Sequence, residues 1–138
     1  MKTLFLVRGP FGVQKTDMAK SFCNTVVSCW DYYEKYGENK FNVNLKVYAD
    51  KYCIDKTIQL MNDGIDKIAV ANSFSQINDL DVYKKEAHKH GYQVFVMISD
   101  NDVTNESRRN APQEVILQQI VKLKNDTNYE TAVNHFLL

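Results

Sequence analysis

Residues Thr3-Leu4-Phe5-Leu6-Val7-Arg8 form a short apolar run of strand-forming side chains that stops abruptly at Gly9-Pro10-Phe11-Gly12. A continuous apolar run of this length reads as a strand buried on both faces, and the glycine and proline cluster reads as the tight loop leaving it. A strand buried on both faces needs a layer above and a layer below, and in α/β chains those layers are helices. The first dozen residues thus commit the chain to a layered architecture, and the remainder has to supply more strands and the helices that cover them.

Met18, Ala19, Phe22, Val26, Cys29, Trp30 and Tyr33 recur at three- and four-residue spacing, which predicts one amphipathic helix from near Lys15 to just before Gly37, with Cys23 and Cys29 on or close to its apolar side. From Phe41 to Tyr48 apolar and polar residues alternate, which predicts a second strand nearer a sheet edge, ending in a loop over Ala49–Cys53. Asp55 to Asp63 reads as a short helix and Lys67 to Asn72 as a third strand. Leu80, Val82, Tyr83 and Ala87 line a helix that Gly91 should cap, Tyr92 to Ile98 reads as a fourth strand, and Pro112 opens a last helix with Val115, Ile116, Ile120 and Leu123 facing inward. Strands alternating with helices imply a mainly parallel sheet with helices on both faces and functional loops at the strand carboxyl ends. Those ends carry Arg8–Thr16, Ala49–Cys53, Asn72–Gln76 and Ser99–Asn101.

The 138 residues match one domain, here residues 1–125, with a tail over 126–138 whose Tyr129, Val133, Phe136, Leu137 and Leu138 have the spacing of a helix that packs on it. Apolar residues make up 44% and charged residues 25%, with 17 basic and 17 acidic side chains, which argues against disorder and against a strongly basic nucleic-acid-binding surface. The 3 cysteines form no Cys-x-x-Cys pair, so they read as buried free thiols rather than a disulfide framework or a zinc site. His88 and His90 are two apart and share no helix face, which leaves them no metal site. The sequence holds no apolar run of membrane-spanning length and no signal-peptide core, and the expectation is a cytoplasmic protein without membrane attachment.

Between the first strand and the first helix stands Gly9-Pro10-Phe11-Gly12-Val13-Gln14-Lys15-Thr16, which fits the phosphate-binding pattern Gly-x-x-x-x-Gly-Lys-Ser/Thr except that Gln14 replaces a glycine. In that pattern loop amides face phosphate oxygens, the lysine reaches the terminal phosphates, and the hydroxyl binds magnesium. Lys15 and Thr16 supply the last two groups. Gln14 puts a side chain where the backbone must come close to phosphate, and either obstructs the nucleotide or donates its own amide.

Taken together, the motifs from residue 2 to residue 124 resemble the small P-loop kinase-like family that includes phage-type polynucleotide 5'-hydroxyl kinases and the kinase-like domains of some larger RNA and DNA repair proteins. The resemblance rests on Gly9, Gly12, Lys15 and Thr16, on Ala49-Asp50-Lys51-Tyr52, on His90-Gly91-Tyr92-Gln93-Val94, and on Arg108-Arg109-Asn110-Ala111-Pro112 in this order. It implies a three-layer P-loop kinase-like fold that binds ATP or GTP with magnesium through Gly9, Gly12, Val13, Gln14, Lys15 and Thr16, with Thr16 on the metal. It implies that Asp50 accepts a proton from the attacking hydroxyl and that Arg108 or Arg109 neutralises the transferred phosphoryl group. Read from the residues alone, Asp50 has the alternative of a loop-capping acid, and the arginines that of a solvated helix surface.

The chain departs from the family at Gln14, at Asn72 where the family carries an acid that helps hold magnesium, and in a shorter lid. Chemistry has changed at three places while the scaffold signals persist. The resemblance therefore implies a catalytically weak or inactive module that binds nucleotide or engages a protein partner or a nucleic-acid end. The alternative is an active ATP-dependent kinase that phosphorylates the hydroxyl of a nucleotide or polynucleotide.

Overall fold

A computed structural model describes residues 1–10, 15–99 and 112–124. The first strand, β1 (Thr3–Arg8), forms as its apolar run requires and pairs in parallel on both sides, Leu6 with Val70 of β3 (Lys67–Ala71) and with Val96 of β4 (Gln93–Ile98). A two-residue strand, β2 (Val26–Val27), completes the described sheet, whose order is β2-β3-β1-β4 with every pairing parallel.

Alternate residues of the central strands enter two cores, as the two-residue period of a strand demands. Leu4 and Leu6 join Ile68 and Val70 against Cys53 and Met61 of α3 (Lys46–Asn62) and Tyr83 and Ala87 of α4 (Asp81–His90). On the opposite face Phe5, Val7, Ala69 and Ala71 meet Met18 and Ala19 of α1 (Lys15–Lys20) and Cys23. The architecture is thus α/β with a parallel sheet between helices, as expected. A third, smaller core of Trp30, Tyr33 and Ala49 packs α2 (Trp30–Tyr36) on the start of α3, and Phe41 and Leu45 fill in around it.

Two segments differ from the sequence expectation. The single helix from Lys15 to Gly37 is instead α1, β2 and α2. Helix α1 stops where the Ser21 hydroxyl turns back onto the Met18 carbonyl at 2.6 Å, and the β-branched Thr25-Val26-Val27 run then pairs with β3, the Ala69 amide donating to the Thr25 carbonyl at 2.9 Å. Edge pairing outcompetes the helical spacing because β-branched side chains prefer extended backbone. Cys23 and Cys29 accordingly lie outside helices, Cys23 after α1 and Cys29 immediately before α2.

The expected strand over Phe41–Tyr48 is helical. Asn42 accepts the Asn44 amide at 2.9 Å and opens a 3-10 turn (Val43–Leu45) that runs into α3, so Ala49–Cys53 is not a strand-end loop and the expected helix over Asp55–Asp63 starts at Lys46. Its buried face is Ala49, Cys53, Thr57 and Met61, a strict four-residue repeat, while Val43 and Val47 of the apparent alternation are exposed. The helix that ends at Gly91 and the strand after it form as expected. Gly91 has φ of 76° and its amide caps the Ala87 and His88 carbonyls. The last helix, α5 (Gln113–Lys124), buries Ile116 and Leu123.

Among the described residues no helix is long and apolar enough to cross a membrane. The tail over 126–138 lies outside the described residues.

Candidate functional site

The carboxyl ends of β1 and β3 are tied together. The Gly9 amide donates to the Ser73 carbonyl at 3.2 Å and the Asn72 amide to the Val7 carbonyl at 3.2 Å. Arg8, wholly buried, donates through Nε to the Phe74 carbonyl at 2.9 Å. Phe74 is held at φ of 43°, in the left-handed region that non-glycine residues avoid, a conformation that survives only where surrounding contacts impose it. Arg8, which its position before a glycine loop marks only as one basic residue at a strand end, is thus the clamp that shapes the loop after β3.

That loop, the start of α1, helix α2, the first turns of α3 and the start of α4 enclose a cavity of about 640 Å³. Lys15, Thr16, Asp50 and Asn72 all line it, so the structure brings together the lysine, the hydroxyl, the carboxylate and the amide singled out in the sequence. Lys15 is buried and its Nζ donates to the Pro10 carbonyl at 2.9 Å. Gly9 lies under it: a Cβ there would meet Lys15 Cγ and Cδ at 3.3 Å and the Ser99 carbonyl at 3.4 Å. A side chain at this position would press on the lysine stem, which gives Gly9 a packing role independent of any ligand.

Asp50 reaches the cavity from the first turns of α3, not from a strand-end loop. Its Oδ2 accepts from Lys46 Nζ at 2.8 Å and its Oδ1 from the Cys29 thiol at 3.3 Å. Both side chains of the Lys46–Asp50 pair are substantially exposed, so the pair orients the carboxylate more than it stabilises the fold. Burial works against the charge on Lys46, but the Asp50 hydrogen bond and charge outweigh it and hold the lysine pKa above its ordinary value.

Asn72 is a bracket. Its Oδ1 accepts the Cys29 amide at 2.7 Å and its Nδ2 donates to Cys53 Sγ at 3.3 Å. The three thiols are free, as expected. What the sequence did not reveal is that Asn72 joins Cys29 to Cys53 and that Tyr83 packs in the same core as Cys53. Burial, with the nearby Cys53 and Asp50, holds Tyr83 protonated well beyond its ordinary range. Tyr33, on the neighbouring wall, is pushed up to about 12 by burial and by the charges of Cys29 and Asp50. The available signal was the three-residue step from Asp50 to Cys53, which puts both on one face once the segment is known to be helical.

The cavity lining carries Asp17, Asp31, Glu34, Asp50 and Asp79 against Lys15, Lys20 and Lys46. A bare polyanion meets repulsion there, and an anion accompanied by a divalent cation does not. Among the described residues no three histidine, cysteine or acidic side chains group as a metal site. Gly12, Val13, Gln14, Arg108 and Arg109 lie outside the described residues. In comparisons with known proteins, the chain matches no family model and no curated sequence.

Proposed function

We propose that the protein is a nucleotide-binding module of the P-loop kinase-like type whose phosphoryl-transfer chemistry is weak or lost. The observation that carries this reading is the convergence of Lys15, Thr16 and Asp50, from two separate stretches of chain, on one cavity at the carboxyl ends of parallel strands. Open parallel α/β sheets bind ligands at this end. The fit to ATP or GTP with magnesium is chemical: an ammonium for phosphate oxygens, a hydroxyl for the metal, and an acidic lining that accepts a metal-neutralised polyphosphate. When bound, magnesium would neutralise phosphate charge. Lys15 would exchange the Pro10 carbonyl for a phosphate oxygen, Thr16 would hold the metal, and Gly9, Gly12, Val13 and Gln14 would form the enclosing loop.

Loss of chemistry is favoured by Asn72. Its amide is spent at both ends on Cys29 and Cys53, which is a structural task and leaves the metal without the carboxylate that the family carries there. The module would then act by presenting its nucleotide state to a protein partner or to a nucleic-acid end. An active kinase is the second reading, and Asp50 favours it, since its carboxylate lines the same cavity and would accept the proton of an attacking hydroxyl while Arg108 or Arg109 neutralised the phosphoryl group.

Calorimetric titration with ATP and with GTP, each with magnesium, separates these readings. The native chain is expected to bind one of them only with magnesium present, and Lys15→Ala to weaken that binding by about tenfold or more, from the loss of a charge-assisted hydrogen bond of about 1.5–3 kcal/mol. Failure of both the native chain and Gln14→Gly to bind would sink the nucleotide reading. Transfer of the terminal phosphate to a 5'-hydroxyl oligonucleotide, abolished in Asp50→Asn, would replace the first reading by the second.

A further inference from the structure

Asn72 touches both Cys29 and Cys53, through Oδ1 to the Cys29 amide and Nδ2 to Cys53 Sγ. Asp50 stands three residues before Cys53 on α3 and takes the Cys29 thiol on its Oδ1 at 3.3 Å. Two cysteines from separate stretches of chain are thereby joined through one amide and packed into the same core, beside a carboxylate. Cys29 lines the cavity and is partly exposed, while Cys53 is wholly buried. Cys29 borders the cavity and Cys53 lies behind it, the order of an attacking and a resolving cysteine.

We propose that Cys29 and Cys53 form a redox-modification site, at which a low-molecular-weight disulfide entering the cavity oxidises the pair to an intramolecular disulfide. Access sets the order of events. The Asp50 carboxylate takes the Cys29 thiol proton as the Cys29 sulfur attacks one sulfur of the incoming disulfide, whose S–S bond breaks. The first half leaves as a thiolate, accepts that proton from Asp50, and the other half stays bound to Cys29. The Cys53 sulfur then attacks the Cys29 sulfur of this mixed disulfide, the Cys29–Cys53 bond forms, and the second half leaves with the Cys53 proton. The two cysteines have lost two electrons and two protons, and the oxidant has become two thiols.

In the reduced pair the Cys29 neighbour, with hydrogen bonds from Tyr83 and Asn72, outweighs burial and holds the Cys53 thiol below its usual pKa, and the Tyr83 and Asn72 bonds do not depend on the Cys29 proton. Cys29 is raised by its Cys53 neighbour, by burial and by Asp50. Bridging withdraws the thiol hydrogen bond from Asp50 and changes what Asn72 Nδ2 faces, so oxidation alters two cavity-lining groups at once. The chemistry is local to the thiols and does not depend on nucleotide binding.

The test treats the full chain with oxidised glutathione at neutral pH without denaturant, alkylates the remaining thiols, and maps non-reduced peptides by mass spectrometry. The peptides holding Cys29 and Cys53 are expected joined, with Cys23 alkylated, since that buried thiol is turned toward the Thr25 and Lys67 carbonyls at 3.4 and 3.5 Å. In Cys53→Ser a stable glutathione adduct is expected on Cys29. Absence of the joined peptides in the native chain, their appearance only in urea, or a bridge that uses Cys23 would each overturn the proposal, and the native chain alone decides this if the variant does not fold. Because the readout is a covalent bond, a chain that binds no nucleotide still gives a clear answer.

Discussion

Asn72 shows how much a single amide can carry, because its two ends hold two different elements. Replacing it by aspartate keeps the acceptor for the Cys29 amide, removes the donor to Cys53, and puts a second carboxylate into the cavity that Asp50 lines. Asn72→Asp is therefore expected to lower unfolding free energy by about 1–3 kcal/mol, the cost of an unmatched buried polar group, measured by urea titration. Tyr33 gives a pH dependence of defined sign. Its hydroxyl stays protonated up to about 12 in the folded chain, whereas the unfolded chain ionises near 10. Below pH 10 both states keep the proton and nothing is lost; above it the unfolded state alone ionises, so stability falls as pH rises toward 12. Tyr33→Phe is expected to lessen that fall, read from unfolding midpoints measured on both sides of pH 10. Lys15 and Thr16 were legible in the sequence because the loop pattern fixes residue types at fixed spacing, whereas Asp50 was singled out by resemblance to a strand-end motif and reaches the cavity from a helix. Cys29, Cys53 and Arg8 were not recognisable as parts of the site, since their partners lie many residues away in the chain.

At the scale of elements, local signals succeeded where one local force dominated. Gly91 ends α4 because its φ of 76° is open to glycine and strained for other residues. Nothing lies within 4 Å of a Cβ added there, so Gly91→Ala meets only the backbone cost, an expected loss of about 1–2 kcal/mol by thermal or urea unfolding. The stretch from Lys15 to Tyr36 misled for a physical reason. Its apolar spacing suits a helix, but Val26 and Val27 gain more as an edge strand on β3, a gain invisible without β3 in place. The stretch from Phe41 to Tyr48 misled in the opposite direction. Alternation marks a strand only if one face is buried, and here Val43 and Val47 face solvent. The better signal was the run Ala49, Cys53, Thr57 and Met61, whose small and mid-sized residues let α3 lie close to the sheet.

For the molecule as a whole, the sheet order makes β1 and β3 the interior strands and gives β2 only two residues at one edge. Native-state hydrogen exchange should find the slowest amides in β1 and β3, opening only with global unfolding, and faster exchange in β2. Equal protection in β2 and β1 would contradict the packing described. The same order sets the cavity at the carboxyl ends of the interior strands, where the Arg8 clamp and the Asn72 bracket join the loops around it.

By itself the sequence determined the class of fold, the buried first strand, the Gly91 stop and the lysine and hydroxyl that open α1, because each follows from periodicity, backbone freedom or residue type within a short window. Only the tertiary structure decided that Val26 and Val27 are a strand, that Asp50 arrives on a helix, and that Cys29, Cys53, Asn72 and Tyr83 meet. Those outcomes depend on pairings between residues far apart in the chain, whose free energy exists only once the sheet and the helices on its two faces have closed around them.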